Sequence, residues 1–265
     1  MSTTDLSVTR VRHQLKMRML QVRRTQLVAP HLLAVTFAGE DLDDFVSASF
    51  DDHVKLFFPA PGETQPHLPN LDPNAAAPDA PRPIARDYTP RRFDPVAGEL
   101  EIQFVLHGDG PASSWATQAK PGDYLGIGGP RGSFVIPDGF DWFLMIGDET
   151  ALPAIGRRLE ELPAGKRVIV ILEIAEDAQT LTFNTQADAE IIWVRRGSKR
   201  HALEAAVWGL SLPDGEGYAW AAGESALMRE IHYHLIHERG LDKSRIRAAS
   251  YWKRGEIAVH ESHGD

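Results

Sequence analysis

The sequence predicts an α/β two-domain chain, a six-stranded antiparallel β-barrel followed by a parallel-sheet, Rossmann-like domain. Three observations carry this expectation. The first half holds short β-rich runs bounded by Pro, Gly or Asp, the second alternates uninterrupted apolar runs with helical patterns, and the change falls at Asp141. With 265 residues, 43 % of them hydrophobic, the chain can fill two cores of ordinary size. The domains are placed at 1–139 and at 140–265, the second with a C-terminal extension.

In the first half, 17–23, 32–38, 53–58, 87–92, 100–106 and 124–127 read as strands, and only 111–118 reads as helical. Six short strands with one helix favour a closed barrel. Residues 59–83 contain eight prolines in 25 positions, so this stretch is a long loop, and its plainer reading is a poorly ordered surface insertion. The run Gly126-Ile127-Gly128-Gly129-Pro130 has the composition of a phosphate loop, but no helix-forming run follows it. It reads as the turn closing a barrel strand. Beyond Asp141, strands are expected at 142–146, 167–174, 190–194, 217–222 and 245–251, with helices near 151–162, 201–208 and 225–239. Pro153 sits in the permissive first turn of the first of these helices. Apolar strands alternating with helices imply a parallel sheet covered on both faces.

Composition narrows the chemistry. The absence of cysteine removes disulfides, thiolate catalysis and cysteine-ligated clusters, so redox chemistry has to come from a bound organic cofactor. A net charge of −9 disfavours a nucleic-acid partner. No segment reaches the roughly 18 consecutive apolar residues that span a bilayer, so no membrane insertion is expected. Residues 1–24 are basic but lack the apolar core of an export signal, which points to a cytoplasmic protein, and a monomer is expected. His232, His234 and His237 do not form a metal site on a regular helix, because successive residues turn by about 100° and only His234 and His237 share a face. No G-x-S-x-G elbow accompanies Ser113 or Ser114.

The densest local motif is Arg86-Asp87-Tyr88-Thr89, with Arg91 behind it. On a strand, alternation puts Arg86 and Tyr88 on one side. An arginine supplies a bidentate phosphate contact, a tyrosine a flat surface for a ring and a threonine a hydroxyl for a ring nitrogen, which together match a flavin dinucleotide. An ordinary strand with a surface arginine fits the same four residues.

Arg86-x-Tyr88-Thr89 resembles the flavin motif of the ferredoxin–NADP reductase superfamily. Four further blocks, in order along the chain, are similar to the siderophore-interacting protein family. They are Asp52-His53-Val54-Lys55-Leu56-Phe57-Phe58-Pro59, His107-Gly108-Asp109-Gly110-Pro111-Ala112-Ser113-Ser114-Trp115-Ala116, Gly147-Asp148-Glu149-Thr150-Ala151-Leu152-Pro153 and Tyr251-Trp252-Lys253-Arg254-Gly255. The resemblance implies a barrel that binds FAD, a second domain that binds NADPH or NADH, and electron transfer to a ferric siderophore. Cofactor contacts are then expected in the barrel at Arg86, Tyr88, Thr89, His107, Gly108, Ala112, Ser113 and Ser114. The amides of a helix N-terminus, joined by the Ser113 and Ser114 hydroxyls, suit a pyrophosphate, although a plain N-cap has the same sequence.

In the second domain Asp148, Glu149 and Thr150 follow the first strand, where open parallel sheets bind ligands, and they stand where the wider superfamily is glycine-rich. Gly223 and Glu224 form the matching turn across the crevice, and Tyr251 and Trp252 resemble a C-terminal aromatic segment that lies near the flavin in relatives. Because ferric catecholates are polyanions, Lys55, Arg131 and Lys253, aided by Arg254, are expected to receive the substrate. Arg195, Arg196, Lys199 and Arg200 either receive the 2′-phosphate of NADPH or form a solvated basic turn. No general acid, general base or metal ligand is required, since the cofactor carries the redox chemistry. The rival readings are a general flavin or quinone diaphorase and a siderophore-binding protein with a vestigial nicotinamide site.

Overall fold

The computed structural model describes residues 5–72, 74, 83–106, 108, 110–197 and 201–255, together with the backbone of Glu261–His263. Two compact units divide the chain, Thr9–Val135 and a second that joins the residues before Thr9 to Ile136–Asp265.

The first unit contains strands β1 (Thr9–Arg12), β2 (Met17–Ala29), β3 (Leu32–Ala38), β4 (Val54–Phe58), β5 (Ile84–Tyr88), β6 (Pro90–Asp94), β7 (Glu99–Val105), β8 (Tyr124–Gly128) and β9 (Gly132–Val135), with one helix, α1 (Pro111–Gln118). Seven of the strands form an antiparallel sheet in the order β5-β4-β8-β2-β3-β7-β6. β5 and β6 pair at opposite edges of this sheet, yet Thr89 alone separates them, so the sheet must curl until its edges meet. The count therefore differs from the expected six strands, because one run is cut into two pairing segments at buried Thr89. Alternation fills the interior. Val54, Leu56 and Phe58 face the core with Leu20, Phe37, Ile102, Phe104 and Ile127, while Lys55 faces out.

Phe57 also points away from that core, yet it is only 4 % exposed. Part of the proline-rich loop covers it. A Cβ on Gly126 would lie 2.2 Å from Leu68 Cδ2 and 3.1 Å from Phe57 Cβ, and one on Gly128 would lie 2.8 Å from Met17 Sδ. Gly126 and Gly128 thus belong to β8 itself, making room for neighbours, and only Gly129-Pro130 forms the turn beyond it. The described part of the loop has no strand or helix, but Pro66 is buried, so this portion is docked on the barrel. β1 and β9 form a separate ribbon absent from the sequence reading. Gly132 permits it, since a Cβ there would meet the Val11 carbonyl at 2.6 Å. α1 buries Ala112 and Ala116 and rests Trp115 on Phe104, ring centres 5.8 Å apart.

The second unit contains β10 (Trp142–Gly147), α2 (Leu152–Glu161), β11 (Arg167–Ile174), β12 (Asp188–Arg195), α3 (Ala202–Trp208), β13 (Gly217–Glu224), α4 (Ser225–Tyr233), β14 (Ile246–Trp252) and β15 (Glu261–His263). The sheet order is β12-β11-β10-β13-β14-β15, parallel except for β15. Strand order reverses between β10 and β13, which opens a crevice at their C-terminal ends. Trp142, Leu144 and Ile146 pack toward α3 and α4 with Leu203, Val207, Met228 and Ile231. Phe143 lies on the other face, under the Arg158 guanidinium of α2 at 4.7 Å. That both faces are covered explains the unbroken apolar runs. Among the described residues no helix is long and apolar enough to cross a membrane.

Gly217 lies in register with Trp142, and a Cβ there would fall 2.0 Å from the indole ring. Gly217→Ala should therefore lower the unfolding free energy by about 1–3 kcal/mol, the cost of overpacking a close-packed site, read as a lower urea midpoint. An unchanged midpoint contradicts this packing.

Candidate functional site

Strand register settles which side chains meet in the barrel unit. Arg86 pairs with Leu56 and Tyr88 with Val54, so both project to the core side, whereas Asp87 pairs with Lys55 on the outer side. The Tyr88 ring packs on Phe104 at 4.6 Å, and Phe104 in turn contacts Trp115 of α1. This aromatic chain brings the seam at Thr89 and helix α1 into one neighbourhood. Burial pushes the Tyr88 phenol up, with the nearby Arg86 charge opposing, so it stays neutral. Among the described residues Arg86 has no carboxylate partner, and its guanidinium donates to the Ala85 carbonyl at 2.7 Å.

Gly108 holds a left-handed φ of 55° ahead of α1, where a glycine is favoured. Gly110 occupies the N-cap of α1 and offers no side-chain cap, while Ser113 is buried and Ser114 half-buried in the first turn. Ala112 also stands in the first turn. Its side chain is part of the core, which leaves only its backbone for a ligand. His107 lies outside the described residues. A positive group, a flat neutral phenol, a buried threonine and a helix start without a side-chain cap are chemically suited to a ring joined to phosphates.

In the second unit the focus is Asp148, at the C-terminal end of β10. Its side chain is buried, and Oδ1 accepts from Thr150 N at 2.8 Å and Thr150 Oγ1 at 2.5 Å, while Oδ2 accepts from Trp252 Nε1 at 2.7 Å. Gly223, at the end of β13, approaches the same oxygen so closely that a Cβ would lie 2.9 Å from it. One carboxylate thereby joins the ends of β10, β13 and β14. Burial, the largest cause, raises its pKa above the ordinary 3.8, and the bonds from Thr150 and Trp252 oppose the rise. With the folded pKa above the unfolded one, its contribution to stability is fully present below the unfolded value and falls as pH rises through the folded value.

Gly147 admits this close turn, because a Cβ there would meet Ala151 Cβ at 2.4 Å and the Ala222 carbonyl at 2.8 Å. Glu149 and Glu224, expected at the cofactor, have internal partners. Glu149 accepts from Ala175 N at 2.5 Å and pairs with Arg196, and Glu224 caps α4 by accepting from Ala226 N at 2.8 Å and Leu227 N at 3.1 Å. Tyr251 sits edge-on to Trp220, ring centres 6.2 Å apart.

The basic residues after β12 are engaged as well. Arg196 bridges Glu149 and Glu173, and Arg195 donates to the carbonyls of Ala175, Glu176 and Ala178. Lys199 and Arg200 lie outside the described residues. Of the three cations expected at the substrate, Lys55 is paired with Asp87 at 2.7 Å on the side of the sheet opposite Arg86 and Tyr88. Arg131 is exposed just beyond Gly128, the β8 partner of Lys55, and Lys253 is half-buried in the second unit. Asp87 stands in the Arg86–Thr89 motif, and the β4–β5 register identifies it as the partner of Lys55. Among the described residues no His, Asp and Glu group suits a metal ion. His234 lies in a π-helical turn, His234–Glu238, with Nδ1 bonded to Glu238 Oε2 at 2.9 Å.

Comparison with known proteins agrees with this architecture. Residues 21–134 match the siderophore-interacting FAD-binding domain family, and residues 140–255 match the siderophore-interacting protein family. The chain is 35 % identical to the NADPH-dependent ferric-chelate reductase of Escherichia coli, over 95 % of this chain and 99 % of that protein. It is 33 % identical to the ferric vibriobactin reductase of Vibrio cholerae, over 92 % and 93 % of the two chains. A siderophore utilization protein from T. fusca superposes with a TM-score of 0.86 at 37 % identity, covering 95 % of this chain and 98 % of that one. The ferredoxin reductase of carbazole 1,9a-dioxygenase shares the fold, with a TM-score of 0.62 at 17 % identity over 88 % of this chain and 66 % of that one. The chain belongs to the siderophore-interacting protein family.

The Asp148–Trp252 bond yields a quantitative expectation. Asp148→Asn and Trp252→Phe should each destabilise the second unit, and their double-mutant cycle should show a coupling of about 1.5–3 kcal/mol, the range for a hydrogen bond to a charged group. Additive losses in chemical denaturation contradict the bond.

Proposed function

We propose that this chain is a cytoplasmic NADPH-dependent reductase of ferric siderophores that works through FAD held by the barrel unit. The observation that carries the reading is the meeting of Arg86, Tyr88 and Thr89 at the barrel seam, linked through Phe104 to the start of α1. Near full-length similarity to two reductases of ferric chelates supports the substrate class.

Held by the barrel unit, FAD would supply the redox chemistry that links a hydride donor such as NADPH to a one-electron acceptor such as Fe(III). The protein's part is placement. Arg86 offers a charge-assisted contact to the cofactor phosphates, the α1 amides add donors, Tyr88 presents a neutral ring face and Thr89 offers a hydroxyl to a ring nitrogen. In the second unit the turn of Asp148 and Thr150, set against Gly223 and Trp252, shapes the crevice that receives the nicotinamide. Glu149 and Glu224 act through structure, because their carboxylates are engaged. NADPH over NADH is favoured by the E. coli relative's name, and Arg195 and Arg196 lend no support because both are engaged elsewhere. Arg131 is the leading cation for the anionic substrate. Lys55 is paired with Asp87, which offsets its charge.

The purified protein should be yellow, and NADPH should bleach its flavin band under anaerobic conditions, with reoxidation by ferric siderophores faster than by quinones. Bleaching followed by reoxidation with quinones alone supports a diaphorase, and absence of bleaching supports a binding protein. Arg86→Ala should weaken FAD retention roughly ten- to hundredfold, or about 1.5–3 kcal/mol. A colourless protein that takes up no flavin on reconstitution overturns the proposal.

A further inference from the structure

A second cavity lies wholly within the barrel unit. It measures about 620 Å³ and is bounded by the segment linking β1 to β2, the Asp44–Val46 region, the docked loop at Pro69–Leu71 and the Gly129-Pro130 turn. Neither Arg86, Tyr88 and Thr89 nor Lys55 and Arg131 line it. Its size falls within the roughly 300–1,000 Å³ of small-molecule sites.

One wall is rigid and cationic. Arg18 is 4 % exposed, and it donates to the Asp41 carbonyl at 2.8 Å, the Gly129 carbonyl at 3.1 Å and Asp44 Oδ1 at 2.9 Å. Those bonds brace the turn and, with a further bond to the Lys16 carbonyl at 3.4 Å, engage four of the five Arg18 donors. Lys16 is shared between Asp41 and Asp44. Arg12 is exposed and, among the described residues, has no ion-pair partner. Set against Arg12, Lys16 and Arg18, the only carboxylate among the lining residues is Asp44. In a protein of net charge −9 this local excess is not a by-product of composition.

His13 completes the wall, and a buried chain backs it. Its Nε2 meets Ser133 Oγ at 2.7 Å, and Ser133 Oγ meets Asp52 Oδ2 at 2.7 Å. Ser133 and Asp52 are each 2 % exposed. The single hydroxyl proton of Ser133 goes to Asp52, and Ser133 also accepts from Ala48 N at 3.2 Å, so His13 must donate from Nε2. The imidazole is thereby fixed, with Nδ1 as the nitrogen left for a ligand. The facing wall is apolar, built from Met17, Pro69, Leu71 and Pro130 with Val46 at the rim. Leu71 is 45 % and Val46 50 % exposed. Flat proline faces and a thioether suit an aromatic body.

We infer that this cavity is a binding site for a small hydroxylated aromatic carboxylate, its carboxylate held by Arg12, a ring hydroxyl donating to the Nδ1 lone pair of His13, and its ring laid on Met17, Pro69 and Pro130. A bare phosphate leaves the apolar wall unmatched, and a large polyanion exceeds the available cations. Taken with the reductase reading, the class includes the free dihydroxybenzoic acid that corresponds to the aryl arm of a catecholate chelator.

The test uses FAD-loaded protein without iron and without NADPH, titrated with 2,3-dihydroxybenzoate by isothermal calorimetry. Saturable one-to-one binding is expected, weakened at least about tenfold by Arg12→Ser, which removes a charge-assisted contact, and similarly by His13→Gln. Flavin bleaching by NADPH should be unchanged in Arg12→Ser. Absence of saturable binding, or unchanged binding in both variants, overturns the site. Loss of binding in Lys55→Ala but not in Arg12→Ser places the probe elsewhere and also overturns it. Because the readout involves neither NADPH nor iron, its failure is distinct from a failure of the reductase reading, which shows as absence of flavin bleaching.

Discussion

The barrel unit depends on one run of chain serving both edges of its sheet. An open sheet leaves a row of unpaired N–H and C=O groups at each edge. Here β5 satisfies one edge against β4 and β6 the other against β7, with only Thr89 between them. Closure thus demands a sharp change of direction at a buried residue, and the side chains just before it, Arg86 and Tyr88, are fixed by register on the inner side. The residues suited to a flavin are therefore also residues of the closing seam. Tyr88, Phe104 and Trp115 extend that rigidity to α1, so the ligand groups stand on regular elements and not on mobile loops.

The second unit meets a comparable demand with a buried charge. An ionised carboxylate removed from water is costly unless several donors meet it. Asp148 meets three, drawn from its own turn and from the end of β14, with the β13 turn pressed against it. Glu149 and Glu224 add two further ties at neighbouring strand ends. The acidic residues around the crevice hold its shape, so the surface they leave for an anionic dinucleotide is less negative than the sequence Asp148-Glu149 alone indicates.

Most of this architecture was legible in the sequence because burial writes itself as apolar alternation or as unbroken apolar runs. Leu32–Ala38, Pro111–Gln118 and Arg167–Ile174 were readable to the residue for that reason. The β1–β9 ribbon was not, since Thr9–Arg12 is exposed throughout and its pairing is made by backbone groups that carry no side-chain signature. The same limit hid the split at Thr89, a matter of pairing partners more than of propensity. At the site, Asp148 and Trp252 stand in separate sequence blocks, and nothing in residue type alone announced the bond between them. Charge alone did not reveal the partners of Lys55, Arg195 and Arg196. A cation in a sequence reads the same whether it faces solvent or a carboxylate, and only register or tertiary contact reveals Asp87, Glu149 and Glu173 as partners.

The docking of Pro66 and Leu68 over Gly126 has a consequence for how this unit tolerates change in length. Pinning the chain there divides the excursion between β4 and β5 into two shorter spans, so the barrel does not have to close one long loop. Closure entropy grows only with the logarithm of span length, about 0.6 kcal/mol for each doubling. Residues inserted or deleted beyond the pinned point therefore change the barrel's stability very little, whereas a bulkier residue at Gly126 acts on the anchor itself. The second span is a natural place for relatives to diverge in length, and for a reporter peptide to be grafted, with the glycine beneath the anchor held constant.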